Sequence, residues 1–152
     1  MLYRTIIFLV LNFASIGLGS LLAGKGPRSQ WYAALDKASW TPPGWAFGVS
    51  WTVIMVCFSI YMAYLWPLAE NRKLLIGILI LHYILNLAWN PTFFYYHQML
   101  AGLIVITALT LVVGFLLFHY WPYLQLKSLL VAPYLIWLVI ATSLNAYILI
   151  KN

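Results

Sequence analysis

Charge is scarce in this chain, and acid is scarcer still. Of 152 residues 7% are charged: eight lysines and arginines against two acids, Asp36 and Glu70. A soluble domain carries about a quarter charged residues, so a water-soluble globular fold is excluded. Both acids lie outside the apolar runs. That removes the carboxylate pair of a glycoside hydrolase and the intramembrane acid of a proton-coupled transporter. The single cysteine, Cys57, can form no internal disulfide and reads as a small buried hydrophobe. No serine or cysteine has a base at a spacing suited to nucleophilic catalysis. His82, His97 and His119 lack metal-ligand spacing, so no metal site is expected. The net charge of +6 comes from basic residues scattered at the ends of the apolar runs. There they meet lipid headgroups, and no nucleic-acid surface is implied.

Apolar and aromatic residues are abundant: 65% hydrophobic, 18% aromatic and eight tryptophans, with a mean hydropathy of +0.95. Five apolar runs follow one another: Ile6 to Ala23, Trp45 to Trp66, Leu74 to Tyr95, Met99 to His119 and Ser128 to Ile150. Each is close to the roughly 20 residues a helix needs to cross hydrocarbon. Backbone groups in lipid must be satisfied within the segment, so the runs predict helices; the alternation of a membrane barrel is absent. The fold class is an all-α integral membrane protein, one domain over residues 1–152, built as a bundle of five transmembrane helices. The first run is read as a retained span, not a cleaved signal peptide. Basic residues divide four and four between the two sides, so they set no orientation. Three connections are short, which predicts successive helices as antiparallel neighbours. The first, Gly24 to Gly44, is long and aromatic. Such a loop is poorly suited to disorder and predicts a lid over one end of the bundle.

That loop ends in SWTPPGWAFGVSW, residues 39 to 51. Pro42-Pro43 suits a helix start, where the missing amide had no partner. Trp40 and Trp45 then sit at headgroup depth as interfacial anchors. Trp51 lies two turns deeper, on one face with Phe47 and Met55, where its indole N–H needs a protein or ligand partner. His82, Asn86 and Asn90 form an i, i+4, i+8 stripe on the third run with Trp89 beside it. Pro133, Trp137, Ala141 and Asn145 form another on the fifth. Polar stripes in spans face the bundle interior or a cavity. Each residue also has a plainer reading. Asn86 and Asn145 can bond helix to helix, Trp51 and Trp137 can fill a core, and His82 can be a hydrogen-bonded core histidine. The fourth run has no stripe, and Thr107 and Thr110 can bond their own backbone. Aromatic walls with a few amides suit a large, flat, apolar ligand.

Trp31-Tyr32, SWTPPGWAFGVSWT, LNLAWNPTFF from Leu85 to Phe94, and PYLIWLVIATSLNAYILIKN from Pro133 to Asn152 together resemble the TspO family, also called the translocator protein or peripheral-type benzodiazepine receptor family. The likeness spans nearly the whole chain with motif spacing kept. It implies a five-helix homodimer in a bacterial plasma membrane or an organelle outer membrane. It also implies binding of porphyrins, sterols and benzodiazepine-type or isoquinoline carboxamide ligands between the helices and under the first loop, with no cofactor required. Carried over by position, the ligand-binding residues are Tyr32, Pro42, Phe47, Trp51, His82, Asn86, Trp89, Trp137, Ala141 and Leu144. Some members are associated with light-dependent breakdown of protoporphyrin, for which Trp51 and Trp137 are the candidate catalytic, photochemical residues. Ala38 and Val49 stand where the family usually has proline, His82 where glutamine is common, and Val105 near a position often acidic. Leu144 to Lys151 fits a short cholesterol-contact pattern, but an interfacial Tyr147 and a snorkelling Lys151 explain it. The resemblance leaves three readings: a tetrapyrrole-binding sensor or degrader, a transporter of porphyrins or other amphiphiles, and a membrane scaffold. Transport would call for an internal inverted repeat, and none is found in the five runs.

Overall fold

In the computed structural model, which describes residues 1–152, every regular element is helical. Five helical segments are long and apolar enough to cross a membrane. Their regular helices are α1 (Leu2–Leu22), α3 (Gly44–Leu68), α4 (Arg72–Asn90), α5 (Met99–His119) and α7 (Ala132–Lys151). Two short helices, α2 (Gln30–Ala34) and α6 (Trp121–Leu124), lie in the connections.

Local chemistry sets the boundaries. Past α1 the chain turns through Gly24 and Gly26 at φ +63° and +51°, a left-handed region that costs glycine little. The Ser29 side chain accepts from the Tyr32 amide at 3.1 Å and caps α2. Pro43 is extended and Gly44 opens α3, so the proline pair does start the second span. Asn71 caps α4 by accepting from the Leu74 amide at 3.0 Å. Two ends differ from the sequence expectation. The second apolar run ends at Trp66 and Pro67 follows it, yet α3 runs on to Leu68; so close to the end, proline forfeits a single backbone bond. The fifth span was expected from Ser128, but residues Gln125–Val131 form a 3₁₀ stretch and α7 begins at Ala132. Pro133 therefore sits in the first turn of α7, where its missing amide is tolerated.

The helices close into a ring in which α1 packs on α3 and α4, α4 on α5, α5 on α7, and α7 on α3. Two of the three short connections join neighbours, as expected. The third does not: α3 and α4 are not major backbone neighbours although three residues link them. Helix α1 fills the seam between them because its inner face is narrow and polar. Asn12 donates to Ser59 Oγ of α3 and accepts from Tyr83 Oη of α4, both at 2.8 Å. Gly19 brings α1 so near α4 that a Cβ there would lie 2.8 Å from Asn90 Nδ2, the close approach that small residues allow in membranes. Helices α3 and α4 meet instead through side chains, with the Phe58 and His82 rings 4.9 Å apart. Phe58, Tyr61, Val113, Leu116, Tyr134 and Leu138 form the fully buried centre. There the Tyr61 hydroxyl donates to the Leu116 carbonyl at 2.7 Å.

Candidate functional site

Of the residues that the sequence singled out, Phe47 and Trp51 lie on α3, His82, Asn86 and Trp89 on α4, and Trp137, Ala141 and Leu144 on α7, while Tyr32 lies on α2 and Pro42 just ahead of α3. They form two linked groups. In the first, the Phe47 ring stands edge-on to Trp137 at 5.3 Å and Trp51 edge-on to Tyr134 at 5.9 Å, geometries favoured by the ring quadrupole. The Tyr134 hydroxyl ties this aromatic face to α4. Asn86 Nδ2 donates to it at 2.7 Å, and His82 Nε2 lies 3.0 Å from it. The network favours one His82 tautomer. If Tyr134 donates to His82 Nε2, only Nδ1–H is left without a partner; if Nε2–H donates instead, the phenolic proton and Nδ1 are both orphaned. The first arrangement leaves fewer buried groups unpaired. His82 Nδ1 is buried without a partner in either case.

The second group lies where α4 meets the loop. Helix α4 does not end at Asn90-Pro91 but widens into a π-helical turn, Pro91–Tyr95, whose Tyr96 amide bonds the Pro91 carbonyl at 2.9 Å. Pro91 has no amide to donate, and the change of pitch accommodates it. The turn places Phe93 parallel to Trp89 at 5.6 Å and Phe94 against Tyr32 at 5.4 Å. Asn145 joins this group to α7 and α5: it accepts from Trp89 Nε1 and donates to the Met99 carbonyl, both at 3.1 Å. Asn86 and Asn145 therefore bond helix to helix, one of the two readings open to them. Leu144 is buried beside Asn145, while Ala141 and Pro42 are half-buried.

The tryptophans divide by what their N–H groups meet. Trp89 donates to Asn145, and Trp40 donates to Ser143 Oγ at 3.2 Å while packing edge-on to Tyr147. Trp40 is thus more than an interfacial anchor, since it fastens the loop to α7. Trp45 stays exposed, at 72%. Trp51 and Trp137 donate to no protein acceptor. Neither nitrogen is among the sealed orphans, which are Ser15 Oγ, His82 Nδ1 and Ser128 Oγ, so both keep accessible surface.

The first loop is ordered by contacts at both ends. Trp31 stacks on His97 at 4.1 Å and meets Phe93 edge-on. The Lys37 ammonium donates to the carbonyls of Tyr32 at 2.7 Å and Leu35 at 3.0 Å, and lies 4.9 Å from the Tyr32 ring. Asp36 and Asn152 exchange two bonds, amide to Oδ1 at 2.9 Å and Nδ2 to carbonyl at 3.1 Å. Burial raises the Tyr32 phenol above its ordinary pKa.

Sequence reasoning missed Tyr134, the junction of the first group. It shares a face with Trp137 at i+3, one residue off the i, i+4 stripe that begins at Pro133. The Asn12–Ser59–Tyr83 network was also missed; its signal was Asn12, Ser15 and Gly19 at helical spacing in the first span. Helix α5, which showed no stripe, is held by Thr110, bonded to its own Ile106 carbonyl at 2.8 Å and to Thr142 of α7 at 3.1 Å.

Fold and site together define a multi-pass, all-helical integral membrane protein whose aromatic, amide-bearing interior lies next to an ordered loop. The chain belongs to the TspO/MBR family, whose profile matches residues 6–150. It is 35% identical to protein CrtK of Rhodobacter capsulatus over 76% of this chain and 74% of that protein. It is 31% identical to the tryptophan-rich protein TspO of Chlorobaculum tepidum over 88% and 86%. The human translocator protein is 32% identical over 80% and 73%.

Proposed function

We propose that this protein binds a tetrapyrrole, with protoporphyrin IX as its model ligand, between α3, α4 and α7 with the first loop as a lid. The observation that carries this reading is the pair of indoles, Trp51 and Trp137. They come from facing helices, stand among edge-on aromatic rings, and keep N–H groups that no protein acceptor engages. A flat conjugated ring with polar substituents matches such walls: its faces pack on aromatic edges and its acceptors take the free indole donors. In this reading Tyr32 and Pro42 close the ligand in from the loop side, Phe47 packs on it beside Trp137, and the small Ala141 is where its edge is accommodated. Asn86, Trp89 and His82 are engaged by other side chains and act chiefly as its frame. Leu144 contributes apolar wall.

Benzodiazepine-type and isoquinoline carboxamide ligands, also flat and apolar, enter the same space in this proposal and compete with the porphyrin. Light-driven porphyrin loss is its second part. An indole packed near an excited porphyrin can give it an electron, or be attacked by the oxygen species it makes, and Trp51 and Trp137 are the candidates for that role. The names of relatives, among them the "Tryptophan-rich sensory protein" of Cereibacter sphaeroides and translocator proteins of mammals, are compatible with a ligand-responsive role. A homodimer in a bacterial plasma membrane is part of the same proposal, tested by light scattering of the detergent-purified protein and by fractionation.

The test is a titration of detergent-purified protein with protoporphyrin IX, following porphyrin absorbance and indole fluorescence in the dark and then under light. Wild type is set beside Trp51→Phe and Trp137→Phe. Saturable quenching in the dark with light-driven porphyrin loss that both substitutions slow is the expected result. Quenching without protein-dependent loss would reduce the proposal to binding or transport. Absence of saturable quenching would overturn it and leave the scaffold reading.

A further inference from the structure

Away from the aromatic site, at the opposite end of the bundle, α1 and α4 part. Their close contact at Gly19 and Asn90 gives way to a crevice of about 450 Å³, nine of whose ten lining residues are hydrophobic. Ile7 and Leu11 of α1 and Ile76 and Ile80 of α4 form its walls, and Phe8 and Trp66 lie edge-on at 5.9 Å on its floor. Tyr83 closes the inner end, its hydroxyl spent on Asn12. All four wall residues are broadly exposed, so the crevice opens sideways into hydrocarbon instead of upward into water. From Tyr3 to Leu11 it spans roughly 12 Å along the α1 axis at the helical rise of 1.5 Å per residue.

Its outer end is cationic. Arg4 is the one charged lining residue. Its only side-chain hydrogen bond runs from Nε to the Tyr3 hydroxyl at 3.0 Å, and the guanidinium lies 5.3 Å from the Tyr3 ring. The terminal N–H groups of its fork remain free of protein acceptors. Arg72 adds a second guanidinium at the same rim, 5.9 Å from the Trp66 ring. An apolar trough lying in hydrocarbon with a free guanidinium fork at its mouth has the shape and charge of one amphiphile, a lipid with a phosphate head.

We propose that this crevice is a binding site for an anionic phospholipid, one acyl chain lying between α1 and α4 and the headgroup phosphate on Arg4 with Arg72 beside it. The site is separate from the aromatic interior and does not rest on the tetrapyrrole reading. Selectivity for anionic over zwitterionic lipid comes from the net charge left after pairing. Both classes offer a phosphate to Arg4, but phosphatidylcholine brings its own cation to a rim that already holds two.

Native mass spectrometry of the purified protein offered dioleoyl phosphatidylglycerol or dioleoyl phosphatidylcholine tests this. Wild type should retain phosphatidylglycerol in preference. Arg4→Gln should lower that preference about fivefold, the weight of one basic residue near anionic lipid, while retaining residual chain binding. Leu11→Trp, and independently Ile80→Trp, should fill the crevice and reduce retention of both lipids. Arg28→Gln, at the other end of the bundle, should change nothing. Circular dichroism of each variant confirms that helices are intact. Equal retention of the two lipids by wild type, or an Arg4→Gln protein as selective as wild type, would overturn the proposal. So would a Leu11→Trp protein whose oligomeric mass changes while its lipid retention does not, since the crevice would then be covered by a second copy of the chain.

Discussion

Replacing Tyr134 with phenylalanine removes one oxygen from the centre of the bundle and leaves the ring. Tyr134 is 0% exposed, His82 1% and Asn86 6%, so water cannot replace the lost hydroxyl. Two interhelical hydrogen bonds disappear, Asn86 to Tyr134 at 2.7 Å and Tyr134 to His82 at 3.0 Å. Interhelical bonds in membranes contribute about 0.6 kcal/mol on average and at most about 1.7. Two of them therefore set a loss of roughly 1–3 kcal/mol. The upper part of that range is expected here, because the substitution orphans a donor and an acceptor without replacing them. Unfolding in mixed micelles titrated with dodecyl sulfate, followed by far-ultraviolet circular dichroism, measures the loss. The decisive arm is the double variant Tyr134→Phe with His82→Leu. Once the hydroxyl is gone, His82 is a buried imidazole with neither nitrogen paired, so removing it should cost much less than in wild type. A Tyr134→Phe loss below about 0.5 kcal/mol, additive with His82→Leu, would refute the hydroxyl as the junction of α4 and α7.

Further consequences follow from other contacts. Gly19→Val should destabilise the bundle by about 1–3 kcal/mol, more than Gly19→Ala, because the Asn90 amide can swing from a methyl but not from a branched side chain; the same titration reads this. Asn152→Ala breaks the paired bonds with Asp36, so proteolytic cleavage after Lys37 should speed while bundle stability holds. Unchanged cleavage would show that α7 does not tether the loop. The Tyr32 phenol ionises less readily in the docked loop than in a released one. Docking should hold below the ordinary phenol pKa and weaken as pH rises through it toward the raised value. An alkaline change in indole fluorescence that Tyr32→Phe reduces would report it, and an identical change in both proteins would rule it out.

The sequence alone settled the class and the count of spans. In lipid a backbone has few ways to satisfy itself, so five long apolar runs with so little charge admit one architecture. The first two motifs were readable for a similar reason. Prolines at Pro42-Pro43 and polar residues spaced by four obey local rules, and Trp51, Asn86, Trp137 and Asn145 do face inward. The order of helices around the ring was not local. It was decided by Asn12 reaching both Ser59 and Tyr83, and by Gly19 admitting Asn90, contacts between residues far apart in the chain. Nor could spacing say which indoles would be spent on protein partners. Trp89 and Trp40 find Asn145 and Ser143 only because α7 passes beside α4 and the loop, while Trp51 and Trp137 are left free. Periodicity fixes which face of a helix turns inward; what that face meets depends on the neighbouring helices, and only the assembled bundle supplies them.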